Sequence, residues 1–129
     1  MSAFNPIFSL GGRFLMALLF LLGGLGKFTN LAGTSAYMES AGIPGFLVLP
    51  AAAFELVAGL LILVGFQTRL VAFVLSGFCL VTALIFHTNF ADQVQLIMFL
   101  KNLGLAGGFL LLARDGAGGL SLDSRRGAY

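Results

Sequence analysis

The chain has 129 residues, of which 59% are hydrophobic and only 9% charged, with a mean hydropathy of +1.03. Seven basic and five acidic side chains are too few to clothe a soluble domain of this size, so lipid is the solvent the sequence fits. A net charge of +2 needs no nucleic-acid partner, and a single cysteine excludes an intrachain disulfide or a paired-cysteine redox centre.

Four apolar runs predict four membrane-spanning helices, an all-α four-helix bundle with no room for a separate soluble domain. They cover residues 7–28, 46–66, 70–86 and 94–113, each of roughly 17–22 residues, the length that crosses about 30 Å of hydrocarbon at 1.5 Å per residue. The first run opens on Asn5-Pro6, which reads as a helix cap followed by proline in the first turn. It has no basic leader and no small-residue cleavage site, and Arg13 interrupts it, so it is expected to remain in the mature protein. Between the first two runs, "GTSAYMESAGIPG" predicts a brief amphipathic helix ended by Gly42 and Pro44, with Tyr37 and Met38 at the headgroup level.

The second run carries Glu55, and on its neighbouring face Ala51, Ala52, Ala58 and Gly59. "GFQTR" then turns the chain tightly into the third run, whose lone Cys79 reads as a small buried hydrophobe. His87 closes that run, and "HTNFADQ" offers Asn89 or Asp92 as the cap of the fourth. Lys101 lies in the fourth run with Met98, Gly104 and Gly108 at helical spacing, beside Asn102 and not far from Gln95. From Arg114 to Tyr129 a glycine-rich tail leaves the membrane without the apolar periodicity to build structure.

Four spans put both termini on one side. That side holds Arg69, Arg114, Arg125 and Arg126, with Arg13 near it, whereas Lys27, Glu39, His87 and Asp92 lie in the opposite connections. The positive bias predicts that both termini are cytoplasmic. No repeat of the first two spans is visible in the last two.

Counting residues from the outer face at 1.5 Å each places Lys27 at the boundary and Lys101 about 12 Å down, with Glu55 at about 15 Å and Arg13 at about 20 Å. One acid therefore lies at a depth between bases, and the small residues beside Glu55 and Lys101 mark Gly59, Gly104 and Gly108 as helix-packing positions. Two readings stand side by side. The charges form a structural ion pair that fixes helix order, or three bases against one acid leave about two surplus charges for an anion or a polarised carbonyl oxygen. The candidate network is Arg13, Lys27, Glu55, His87 and Lys101, with no metal site expected.

Taken together, "GRFLMALLFLLGGLGKF", "GIPGF", "FELVAGLLILVGFQTR", "FHTNF" and "GLSLD" resemble the DoxX family of small four-helix bacterial inner-membrane proteins, over residues 12–123. The residues that carry the resemblance are Arg13, Lys27, Glu55, Arg69 and His87; the tail departs by lacking the proline common in the family's glycine-rich turn. The resemblance implies a link to quinone-dependent redox systems. The chain shows no paired histidines for haem, no cysteine cluster and no dinucleotide fingerprint. The expectation is thus a non-catalytic accessory or anchor subunit, with quinone as its ligand and a soluble redox partner. The alternatives are a small oligomeric transporter or permeability factor for an organic anion or proton, and a purely structural membrane protein.

Overall fold

The computed structural model describes residues 5–127. Residues 1–4 of the expected four-span region and 128–129 of the expected tail lie outside that range. Four long helices carry the fold: α1 (Asn5–Thr29), α3 (Val48–Val64), α4 (Thr68–Phe86) and α5 (Gln93–Asp115). Two shorter ones, α2 (Leu31–Ser40) and α6 (Leu122–Arg125), complete it, and a 3-10 turn (Gly45–Leu47) leads into α3. Helices α1, α4 and α5, and α3 together with the 3-10 turn that leads into it (Gly45–Val64), are apolar and long enough to cross a membrane. Their outward faces are leucine, isoleucine, valine and phenylalanine, an arrangement that water would disfavour and hydrocarbon accepts.

Local chemistry sets the helix boundaries. Asn30 caps α2 by accepting from the Gly33 amide at 3.2 Å, and α3 ends where Gly65 turns left-handed at φ 72°. There the Gly65 and Phe66 amides both return to the Leu61 carbonyl, at 2.9 and 3.0 Å, closing the helix as glycine-ended helices commonly close. Asp92 caps α5 through the Val94 amide at 2.9 Å.

The long helices pair as two antiparallel hairpins. In the first, α1 lies against α3: Gly24 faces the Ala52 carbonyl, and Gly59 faces the Ala17 carbonyl. Glycine and alanine at these crossings let the two backbones approach. In the second, α4 lies against α5, tied by Ser76 Oγ donating to the Ala106 carbonyl at 2.9 Å. Aromatic contacts join the hairpins, with Phe20 5.5 Å from Phe109 and Phe54 5.0 Å from Phe78 between ring centroids.

The tail differs from the sequence expectation. It folds back beneath the bundle, Gly118 against Ser9 and Gly119 against Pro6, and ends in α6. Its order comes from side chains bonding to backbone, not from apolar periodicity. Ser121 Oγ caps α6 by accepting from the Ser124 amide at 3.0 Å. The carboxylate of Asp123 accepts from the Gln67 and Thr68 amides at 2.8 and 2.9 Å, and its own amide donates to the Gly65 carbonyl at 2.8 Å. That carboxylate cap explains why α4 starts at Thr68 rather than at Leu70.

Candidate functional site

Between the two hairpins, on the side closed by α2, lies a cavity of about 910 Å³, within the range of small-molecule sites. Its walls are mostly apolar and aromatic, including Phe20, Phe54, Phe78 and Phe86. Tyr37 of α2 stacks on Phe86 with centroids 5.4 Å apart, which fastens α2 over the end of α4. Val74 and Val81 line the cavity and are also exposed on the outside of the bundle. The cavity therefore opens sideways, on a face that meets lipid.

Lys27, Glu55, His87 and Lys101 all reach its wall. Lys27, in the last turn of α1, pairs with Glu55 of α3 at 2.6 Å. The local sequence permits this contact: a Cβ at Gly23 would lie 3.3 Å from Glu55 Oε1, so the glycine leaves room for the carboxylate against α1. Among the described residues Lys101 has no acidic partner, while Asn102 next to it donates Nδ2 to the Cys79 carbonyl and to Thr82 Oγ1, at 3.3 and 3.2 Å. His87 Nδ1 lies 2.9 Å from Gln95 Oε1, which ties the end of α4 to the start of α5.

Arg13 departs from the sequence expectation. It is buried at the opposite end of the bundle, where Nη1 donates to the Ile62 and Leu63 carbonyls at 3.1 and 2.8 Å and Nη2 to the Leu120 carbonyl. The last carbonyls of α3 lack partners within the helix, and a guanidinium satisfies several of them at once. Arg69 does the same for the second hairpin, donating to the Ala113, Arg114 and Asp115 carbonyls at the end of α5. Although the sequence shows no repeat, each hairpin uses an arginine in the first half of its first helix to close the end of its second.

Removing Arg13 changes the charge balance. Two lysines and one carboxylate face the cavity; among these three one positive charge is in surplus, and it is on Lys101. Of the packing glycines, Gly59 meets Leu21 and the Ala17 carbonyl, and Gly108 meets Met16. Gly104 has nothing within 4 Å of a Cβ built on it and is exposed on an outward face of α5, so no helix packs against it. Sequence reasoning missed the aromatic wall and the part played by α2; the fourteen phenylalanines have no spacing that singles out those facing the cavity. It missed Asp123 as well.

Four spans around a laterally open cavity with a paired acid and an unpaired base define a small integral membrane protein with a polar site inside the bilayer. The DoxX family model matches residues 8–88, and the chain belongs to that family. It is 50% identical over 111 residues to the inner membrane protein YqjF of Escherichia coli (strain K12), covering 86% of this chain and 85% of that protein. Inner membrane protein YphA of the same organism is 38% identical over 130 residues, 95% of this chain and 93% of YphA. A third relative, named "Putative oxidoreductase CatD" in Bacillus subtilis (strain 168), is 36% identical over 84 residues, 63% of this chain and 62% of CatD. No solved structure matches the chain. Lys101 and Asn102 lie beyond the segment that the family model matches.

Proposed function

We propose that this protein is an inner-membrane accessory subunit of a quinone-linked redox system, whose cavity binds a quinone-like amphipathic molecule. In this reading both termini are cytoplasmic, since the arginines gather at the end that carries them. The observation that carries the proposal is Lys101, an ammonium with no acidic partner among the described residues, on the wall of a largely aromatic cavity of about 910 Å³. Lys101 donates to a ligand oxygen, and Glu55 holds Lys27 as a second, neutralised donor. The ring of the ligand lies among the phenylalanines, and its tail leaves between the helices toward lipid. A soluble partner supplies the electrons. The oxidoreductase name of the CatD relative and the inner-membrane names of YqjF and YphA agree with this assignment.

The experiment is binding of a short-chain ubiquinone to the purified protein, compared with the Glu55→Gln and Lys101→Met variants. The wild type binds, and each variant binds about tenfold more weakly, the effect of losing a charge-assisted hydrogen bond or its support. Equal binding by all three proteins, or by none, overturns the proposal.

A further inference from the structure

The cavity also carries information about the charge of its ligand. Resting on the reading of the cavity given above, we infer that its preferred ligand is a planar monoanion: one ionised oxygen at Lys101, on an aromatic body held among Phe20, Phe54 and Phe78.

Charge counting gives the first step. Lys27 is 2.6 Å from Glu55, so that pair contributes no net charge to the cavity, and the surplus is a single positive charge at Lys101. A surplus cation inside the hydrocarbon layer is costly, and one negative charge from a ligand removes that cost. A dianion would replace one surplus by another of opposite sign. A neutral ligand would leave Lys101 uncompensated.

Escape to water does not solve the problem for Lys101. It is eight residues into α5, which starts at Gln93, so it lies about 12 Å along the helix axis at 1.5 Å per residue. A lysine side chain reaches only about 6 Å from its Cα. Snorkelling therefore recovers part of the hydration and no more.

Neighbouring groups narrow the ligand further. Both Nδ2 hydrogens of Asn102 have partners within the protein, the Cys79 carbonyl and Thr82 Oγ1, so Asn102 offers the cavity an acceptor only. Beside it, Lys101 is a charged donor with no acidic partner among the described residues. An ionised phenolate, enolate or carboxylate oxygen matches it, and the aromatic side chains match a flat ring. Lateral opening past Val74 and Val81 admits such an amphiphile from the lipid.

The test compares two probes of nearly equal shape, using the full-length protein in nanodiscs. One is 2-hydroxy-1,4-naphthoquinone, an anion at neutral pH; the other is 2-methyl-1,4-naphthoquinone, which is neutral. The anion is expected to bind at least about tenfold tighter, the least that a charge-assisted hydrogen bond contributes. Lys101→Met should abolish that preference, weakening the anion by more than the neutral probe, and Lys101→Arg should restore it. Equal binding of the two probes, or a preference that survives Lys101→Met, overturns the monoanion and leaves the quinone-like site standing. Binding of neither probe overturns both.

Discussion

The guanidinium of Arg13 donates to the carbonyl of Leu63 at 2.8 Å, across fifty positions of sequence. With the bonds to Ile62 and Leu120, this contact makes Arg13 the junction of α1, the end of α3 and the returning tail. Its charge is spent on backbone carbonyls at the terminal end of the bundle, and the cavity is left with one surplus cation.

That placement separates stability from binding. Arg13→Met leaves three carbonyls without their donor and is expected to destabilise the bundle by about 2–3 kcal/mol. Arg13→Lys keeps the charge but loses the planar fork that reaches three acceptors, so it should recover less than half of the loss. Neither variant should change the affinity for a naphthoquinone. Thermal unfolding in detergent, run beside a binding titration, checks both halves; weaker binding at unchanged stability would contradict the placement.

The Lys27–Glu55 pair predicts an asymmetry. Glu55 is the more buried partner, its side chain 8% exposed against 28% for Lys27, and Lys27 is two residues from the end of α1. Lys27→Met strands a buried carboxylate and should cost about 3 kcal/mol. Glu55→Gln strands an ammonium that can turn toward the headgroups, at about 1 kcal/mol. The double variant should be more stable than Lys27→Met alone. A Glu55→Gln variant less stable than Lys27→Met would reverse the assignment of which partner depends on the other.

Much of this arrangement was readable from the chain, and the unread part has a common cause. Runs of apolar residues locate the four spans because the bilayer imposes one length on each. Residue counting brought Lys27, Glu55 and Lys101 to one half of the membrane, where the cavity lies. Counting gives depth along a helix axis, however, and says nothing about which neighbour faces a side chain. Depth alone therefore groups Arg13 with the cavity, since the carbonyls it meets exist at the end of every helix and leave no mark in sequence. Asp123 escaped for a related reason: its partners are the amides of Gln67 and Thr68, which any two residues would supply.

The glycines give a matched pair of expectations. A Cβ at Gly24 would lie 2.7 Å from Leu56 Cγ and 3.0 Å from the Ala52 carbonyl oxygen, so Gly24→Leu forces α1 away from α3 and should cost about 1–3 kcal/mol. At Gly104 the same substitution meets open space and should change stability by no more than about 0.5 kcal/mol. Unfolding curves of the two variants, measured in the same detergent, test the hairpin packing directly; equal losses would show that α5 packs on another element through Gly104.

The tail gives a pH-dependent expectation. Burial alone would raise the Asp123 carboxyl, but the Thr68 and Gln67 amides and nearby Arg126 outweigh it and hold the group below the usual carboxylate range. A carboxyl with a lowered pKa when docked takes up its proton more readily when released, so docking is favoured wherever the unfolded group is ionised. The contribution is complete above the ordinary aspartate value of about 3.9 and disappears as pH falls through the lower docked value. Protection of the amides of residues 120–126 from hydrogen exchange, corrected for intrinsic rates, should stay level from neutral pH to about 4 and fall below it. Asp123→Asn should show weaker protection with no such step, because an NH2 donor replaces one of the two oxygens that accept from the Gln67 and Thr68 amides and the side chain carries no charge for the start of α4. A wild-type tail that loosens already between pH 6 and 5 would mean that another titrating group, not Asp123, holds it in place.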